Sequence, residues 1–213
     1  MDRRKALKNI GLSAGFMAAT PSIFSLLQSC TTEAESWAPV FFTEEQGIAV
    51  KKIVDIILPK TDTPSATEVN VPEFIDRYAD EVFLLKEQEN FRESVQGMVD
   101  KLKSSYDEDL NDIKPEQYEE LVAMNLKATP EHEEKMNKLI RSYQGSIEKE
   151  EQITKDIDAL TFSAMGSLRS MAINAYKISE MVGENVLAYD PVPGGYTGCG
   201  SLEELSGGKA WSL

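Results

Sequence analysis

The sequence predicts an all-α fold: a helical bundle of five or six helices with an irregular Gly/Pro-rich strap at its C-terminal end. Three observations carry that expectation. Apolar residues recur at near-helical spacing from about residue 43 to residue 182. Prolines and capping residues stand where such helices start and stop. No stretch shows the strict apolar/polar alternation of a half-buried strand.

Thr43-Glu44-Glu45-Gln46 is a capping-box pattern. Ala49, Ile53, Ile56 and Ile57 follow on one face, and Pro59 stops that helix. Residues 60–70 are rich in turn formers, among them Thr61, Asp62, Thr63, Pro64 and Ser65. Pro72 occupies a first-turn position, and Phe74, Ile75, Tyr78, Val82 and Phe83 form the next stripe. A third stripe, Phe91, Val95, Met98, Val99 and Leu102, ends near Tyr106. Pro115 opens a short helix with Tyr118, Leu121, Val122 and Leu126. Thr129-Pro130 opens another with Met136, Leu139, Ile140 and Tyr143; Glu131, Glu133 and Glu134 fill its first turn, where carboxylates favour the helix dipole. The longest pattern runs from about Ile153 to Val182, through Ile157, Leu160, Met165, Leu168, Ala172, Ala175, Tyr176 and Met181. Gly166 is placed to bend or divide it and Gly183 to end it.

The strap, residues 188–213, holds six of the thirteen glycines and two prolines. That composition argues against helix, because Gly leaves the backbone open and Pro fixes it elsewhere. Tyr189, Tyr196 and Trp211 are nevertheless too apolar for a free tail. The expectation is that these rings are buried, on the helices or by a partner.

The chain has 213 residues, 41% of them hydrophobic, enough for one core and one helical domain over 43–213. Its net charge of −14 argues against nucleic-acid binding, which needs a basic surface. One His and two Cys exclude a multi-residue His/Cys zinc site and a disulfide framework.

Residues 1–29 read as an export signal ending at Cys30, with 30–42 as a tether. Arg3-Arg4, followed by Lys5-Ala6-Leu7-Lys8 and a mildly apolar run from Ile10 to Leu27, resembles a twin-arginine signal; Asp2 and Ala6 depart from its usual residues. Leu27-Gln28-Ser29-Cys30 resembles a lipobox, which implies cleavage before Cys30 and a lipid on its sulfur. A plain cleaved signal or an uncleaved anchor is the competing reading. A twin-arginine route carries folded cargo, and a chain with no cofactor motif gains from it only when it travels with a partner that must fold first.

Each candidate for chemistry has a plainer reading. His132 stands among Glu131, Glu133 and Glu134, but adjacent helix residues do not share a face, so a surface helix is expected rather than a metal cluster. Asp62 amid hydroxyls reads as a turn former before a cation ligand. Met98, Met124, Met136, Met165, Met171 and Met181 follow the helical stripes, which favours core packing over metal or haem ligation. No Cys-x-x-Cys-His, no Gly-x-Gly-x-x-Gly and no Ser/His pairing for a triad occurs. The favoured reading of Cys199 is a buried, inert thiol; an intermolecular disulfide stays open, as does a bridge to Cys30 if that residue is not lipidated.

Several pieces together then resemble one family. These are Ile53-Val-Asp-Ile-Ile-Leu-Pro-Lys-Thr-Asp-Thr-Pro-Ser-Ala66, Val71-Pro-Glu-Phe-Ile-Asp76, the late helix Ala172-Ile-Asn-Ala-Tyr-Lys-Ile-Ser-Glu180, and Leu187-Ala-Tyr-Asp-Pro-Val-Pro-Gly-Gly-Tyr-Thr-Gly-Cys199. From about Phe42 to its end the chain resembles the gluconate 2-dehydrogenase subunit 3 family; Ser65 departs from the Gly that often precedes Ala66 there. The resemblance implies a non-catalytic subunit with no cofactor of its own and no catalytic or metal residues. It implies partners: a large FAD-dependent subunit of the glucose–methanol–choline (GMC) class, often with a cytochrome c subunit carrying haem c. It implies targeting by Arg3 and Arg4 and, more loosely, docking through the strap around Tyr196 and Cys199; the lipobox adds membrane attachment by lipid on Cys30 in the envelope of a Gram-negative bacterium, and the strap's apolar rings add Tyr189 and Trp211 as docking residues. The alternative is a free-standing envelope lipoprotein that binds a ligand or a protein.

Overall fold

The computed structural model describes residues 37–148, 156–192, 194–195 and 197–212. Eight α-helices occur among them: α1 (Glu44–Ile57), α2 (Val71–Glu81), α3 (Leu85–Ser105), α4 (Pro115–Leu126), α5 (Pro130–Glu148), α6 (Ile157–Ile178), α7 (Glu180–Asn185) and α8 (Leu202–Ser206). A single 3-10 turn, Thr67–Val69, precedes α2. No β-strand occurs among the described residues, so the protein is all-α, with six helices of eleven residues or more and two short ones.

Local chemistry sets the boundaries. Thr43 Oγ1 accepts from Gln46 N (3.2 Å) and Gln46 Oε1 accepts from Thr43 N (3.1 Å), so the capping box forms as expected. Leu58 closes α1 just before Pro59. Asn70 enters α2 with φ 57°, a left-handed conformation that Asn tolerates better than most residues. At α6 the Asp156 carboxylate accepts from Ala159 N (3.0 Å) and satisfies one of the helix's orphan donors.

Helix α6 is the axis of the bundle; α1 to α5 and α7 all pack on it. Its most extensive seam is with α3. Gly97 makes that approach close: a Cβ there would lie 2.6 Å from Leu160 Cβ. Val95, Met98, Val99 and Leu102 of α3 and Ala164, Met165, Leu168 and Ala172 of α6 are fully buried. Each such Leu, Val or Met removed from water contributes about 1.5–3 kcal/mol before entropy is counted. Phe41 and Phe42 join Phe91 and Phe83 in an aromatic cluster, with Phe41 stacked on Phe91 at 6.0 Å between ring centroids.

The long C-terminal pattern needs correction at both ends. Ile153 lies outside the described residues, and Ile157 and Met181 are exposed. Gly166 does not divide α6, which runs unbroken from Ile157 to Ile178. The helix ends at Ser179, whose backbone is extended and whose hydroxyl donates to Tyr176 O (2.8 Å); α7 then restarts at Glu180 and buries Val182. Gly183 is internal to α7, where a Cβ would meet Ser212 Oγ at 2.9 Å. Its size serves packing rather than termination.

The stripe on α2 also divides. Val71, Ile75 and Ala79 are buried, whereas Tyr78 and Val82 are exposed and Phe74 only half-buried. Asp76 sits on the buried face, which apolar periodicity did not anticipate. Its carboxylate accepts from the backbone N–H of Val40 (2.7 Å), Phe41 (3.0 Å) and Phe42 (2.9 Å), tying the segment before α1 onto α2. Charge-assisted bonds of this kind to backbone donors are the strong ones.

Candidate partner-docking surface

The strap begins where α7 ends. Ala188 N donates to Ala210 O (2.8 Å) and Ser212 N donates to Ala188 O (2.8 Å), an isolated parallel bridge between Ala188 and Trp211. Two backbone bonds thus close residues 188–212 into a loop and bring the chain at Tyr189 beside the chain at Trp211.

Within it, α8 is a turn of helix that composition argued against. Ser201 Oγ accepts from Glu204 N (3.2 Å) at its start. Gly207 (φ 60°) and Gly208 (φ 76°) close it in the left-handed region that glycine adopts without a steric penalty. The signals were legible as Ser201-x-x-Glu204 followed by Gly207, a cap at each end of five residues.

Tyr189 and Trp211 are not buried on the helices. Tyr189 is 50% and Trp211 48% exposed, and Val192, Leu202 and Leu205 are exposed as well. Cys199 is free and exposed, not a buried thiol. The reason is the strap's own composition. Few large side chains stand between Pro191 and Ser201, and the sulfur lies open among the described residues. Tyr196 lies outside the described residues, as do Arg3, Arg4 and Cys30. Exposed Ile173, Ile178 and Met181 continue the apolar character back along α6 and α7. Exposed large apolar side chains gathered on one short segment are the raw material of interaction sites.

The loop of residues 59–70 is held by carboxylates in structural roles, while its own Asp62 is exposed. Asp55 accepts from Thr67 N (2.8 Å) and Thr67 Oγ1 (2.6 Å). Glu68 pairs with Lys60, which with the Ser65 N–H holds its carboxyl below the ordinary range. Tyr176 O–H donates to Pro64 O (2.8 Å) and pins the loop to α6 near its C-terminal end. Ala66 is fully buried beneath it. Among the described residues no group of three or more His, Cys, Asp or Glu is arranged to hold a metal, and His132 is exposed, its ring edge-on to Phe162. Met98, Met136 and Met165 pack in the core as their spacing indicates, whereas Met124 and Met181 are exposed.

Sequence reasoning missed a cavity of about 490 Å³ between α3, α5 and the start of α6, lined among others by Phe83, Phe91, Leu139, Tyr143, Leu160 and Ser163. Its walls come from three helices, so no local motif announces it. Burial and a hydrogen bond with Glu93 push the Tyr143 phenol up, which keeps it protonated and unsuited to act as a base. No helix among the described residues is long and apolar enough to cross a membrane.

The sequence profile described as gluconate 2-dehydrogenase subunit 3 matches residues 44–194. The match starts with α1 and stops inside the strap; it includes Tyr189 and leaves Tyr196, Cys199 and Trp211 beyond it, where the resemblance read from the sequence ran to the end of the chain. No curated protein and no solved structure matches. With the profile covering the bundle from α1 through α7, the chain belongs to the gluconate 2-dehydrogenase subunit 3 family.

Proposed function

We propose that this protein is the non-catalytic accessory subunit of an FAD-dependent sugar or polyol dehydrogenase of the GMC class. In this reading it carries the folded flavoprotein through the twin-arginine route by way of Arg3 and Arg4. It then holds the complex at the membrane by a lipid on Cys30, on the periplasmic side or at the outer membrane. FAD, with haem c where a cytochrome subunit is present, belongs to the partners.

The observation that carries the proposal is the half-exposed Tyr189 and Trp211 on a loop closed by backbone bonds. An ordered surface of aromatic and aliphatic side chains suits a protein partner, since Tyr and Trp supply large contact area at small entropic cost. The family supports membership of a gluconate 2-dehydrogenase complex. The Arg3-Arg4 pair supports a route for folded cargo.

The test is export. The flavoprotein is produced with the full chain, without it, and with Arg3→Lys/Arg4→Lys in it, and periplasmic flavin-dependent dehydrogenase activity is measured. The proposal expects activity only with the intact chain. Equal periplasmic activity in all three strains would overturn it.

A further inference from the structure

A groove runs between α2 and the α6–α7 corner, with a volume of about 550 Å³. Phe74, Tyr78, Val82 and Ile178 give it apolar walls, and of these Tyr78, Val82 and Ile178 are exposed. This is the outward half of the α2 stripe, the part that the bundle leaves uncovered. Glu73, Glu81 and Glu180 line the same groove against a single Arg77.

One of these carboxylates is unusual. Glu73 Oε2 is sealed from solvent and has no hydrogen-bond partner among the described residues. A buried, unpaired carboxylate oxygen is costly, and native proteins seldom leave one without a reason. Its place in the first turn of α2 favours negative charge but supplies no donor to this atom. The groove thus combines apolar walls with an excess of negative charge.

We propose that this groove seats a cationic amphipathic segment of the flavoprotein subunit. Arg or Lys side chains of that segment pair with the Glu73, Glu81 and Glu180 carboxylates, and flanking apolar side chains cover Tyr78, Val82 and Ile178. The inference rests on the accessory-subunit reading and adds to it where the partner docks and with what chemistry. The groove adjoins the strap through the chain itself: Ile178, Ser179 and Glu180 line it, and Ala188 begins the strap one short helix later.

The experiment titrates the full chain, in detergent, against the purified FAD-containing GMC oxidoreductase of the same organism, with affinity read at low and high salt. Glu73→Gln and Val82→Asp are compared with wild type and with Met124→Asp, an exposed apolar residue on α4. Thermal melts of each isolated chain establish that all are folded; Val82 is 56% exposed, so its change leaves the core intact. The expected result is a tenfold or greater loss of affinity for Glu73→Gln and Val82→Asp and none for Met124→Asp. The salt dependence is also expected to be weaker for Glu73→Gln than for wild type, a difference that a merely structural Glu73 would not produce. Tight binding by wild type and by both groove variants would overturn the groove while leaving the accessory role intact. A wild-type chain that does not bind the flavoprotein would overturn both. Self-association of the isolated chain that Val82→Asp abolishes would assign the groove to a second copy and overturn the proposal.

Discussion

Along the seam between α3 and α6, Gly97 lets two helices touch, and Val95, Met98, Met165, Leu168 and Ala172 are sealed from water. In the strap, two backbone bonds and a five-residue helix give shape, yet Tyr189, Trp211, Val192 and Leu202 remain exposed. One region gains its order from burying its own side chains. The other is ordered with its apolar groups still facing out. A chain that needed the strap for its own stability would have turned those rings inward. The contrast separates what makes this protein fold from what it offers to something else.

The contrast can be broken by substitution, and the largest effect belongs to the seam. Leu168→Ala empties a fully buried site on the central helix and is expected to cost about 2–5 kcal/mol in chemical denaturation. Next comes Asp76→Asn. It replaces a carboxylate that accepts three backbone N–H bonds with a neutral amide, an expected loss of about 1.5–3 kcal/mol. Loosening of residues 40–42 in hydrogen exchange should accompany it.

A smaller effect is tied to pH. Burial pushes the Tyr118 phenol up to about 12, and its O–H donates to Leu110 O (3.0 Å). The unfolded phenol ionises near pH 10. Below that both states are protonated and this stabilisation is fully present; between about pH 10 and 12 only the unfolded chain ionises, and stability falls. Urea midpoints measured from pH 9 to 12 should show that decline, and Tyr118→Phe should lessen its slope.

The smallest effect on stability is expected in the strap. Trp211→Ala should change the unfolding free energy of the isolated chain by under about 1 kcal/mol, although it deletes the largest side chain type in the protein. The same substitution should weaken flavoprotein binding at least tenfold by titration. A large stability loss with unchanged binding would reverse the roles assigned to the two regions.

The bundle was legible in the sequence because its signals are local. Thr43 and Gln46 cap one another across three residues, Pro59 stops a helix at its own position, and the α3 stripe repeats within a single helix. What was not legible depends on residues far apart. Asp76 is buried because residues 40–42 bring three donors to it. The small size of Gly183 is explained by Ser212, twenty-nine residues later, and not by a helix end. Tyr78 and Met181 follow apolar patterns and still face outward, because periodicity marks a face without saying what covers it. Cys199 departs from its expected burial for a related reason: the usual burial of free thiols does not extend to a glycine-rich loop with few large side chains to pack over it.

Hydrogen–deuterium exchange on the chain, alone and saturated with the purified flavoprotein, tests the central claim most directly. The account predicts that residues 188–212 gain strong protection in the complex while the α3–α6 seam, already protected in the isolated chain, changes little. Unchanged exchange in the strap, with new protection confined to other surfaces, would contradict it.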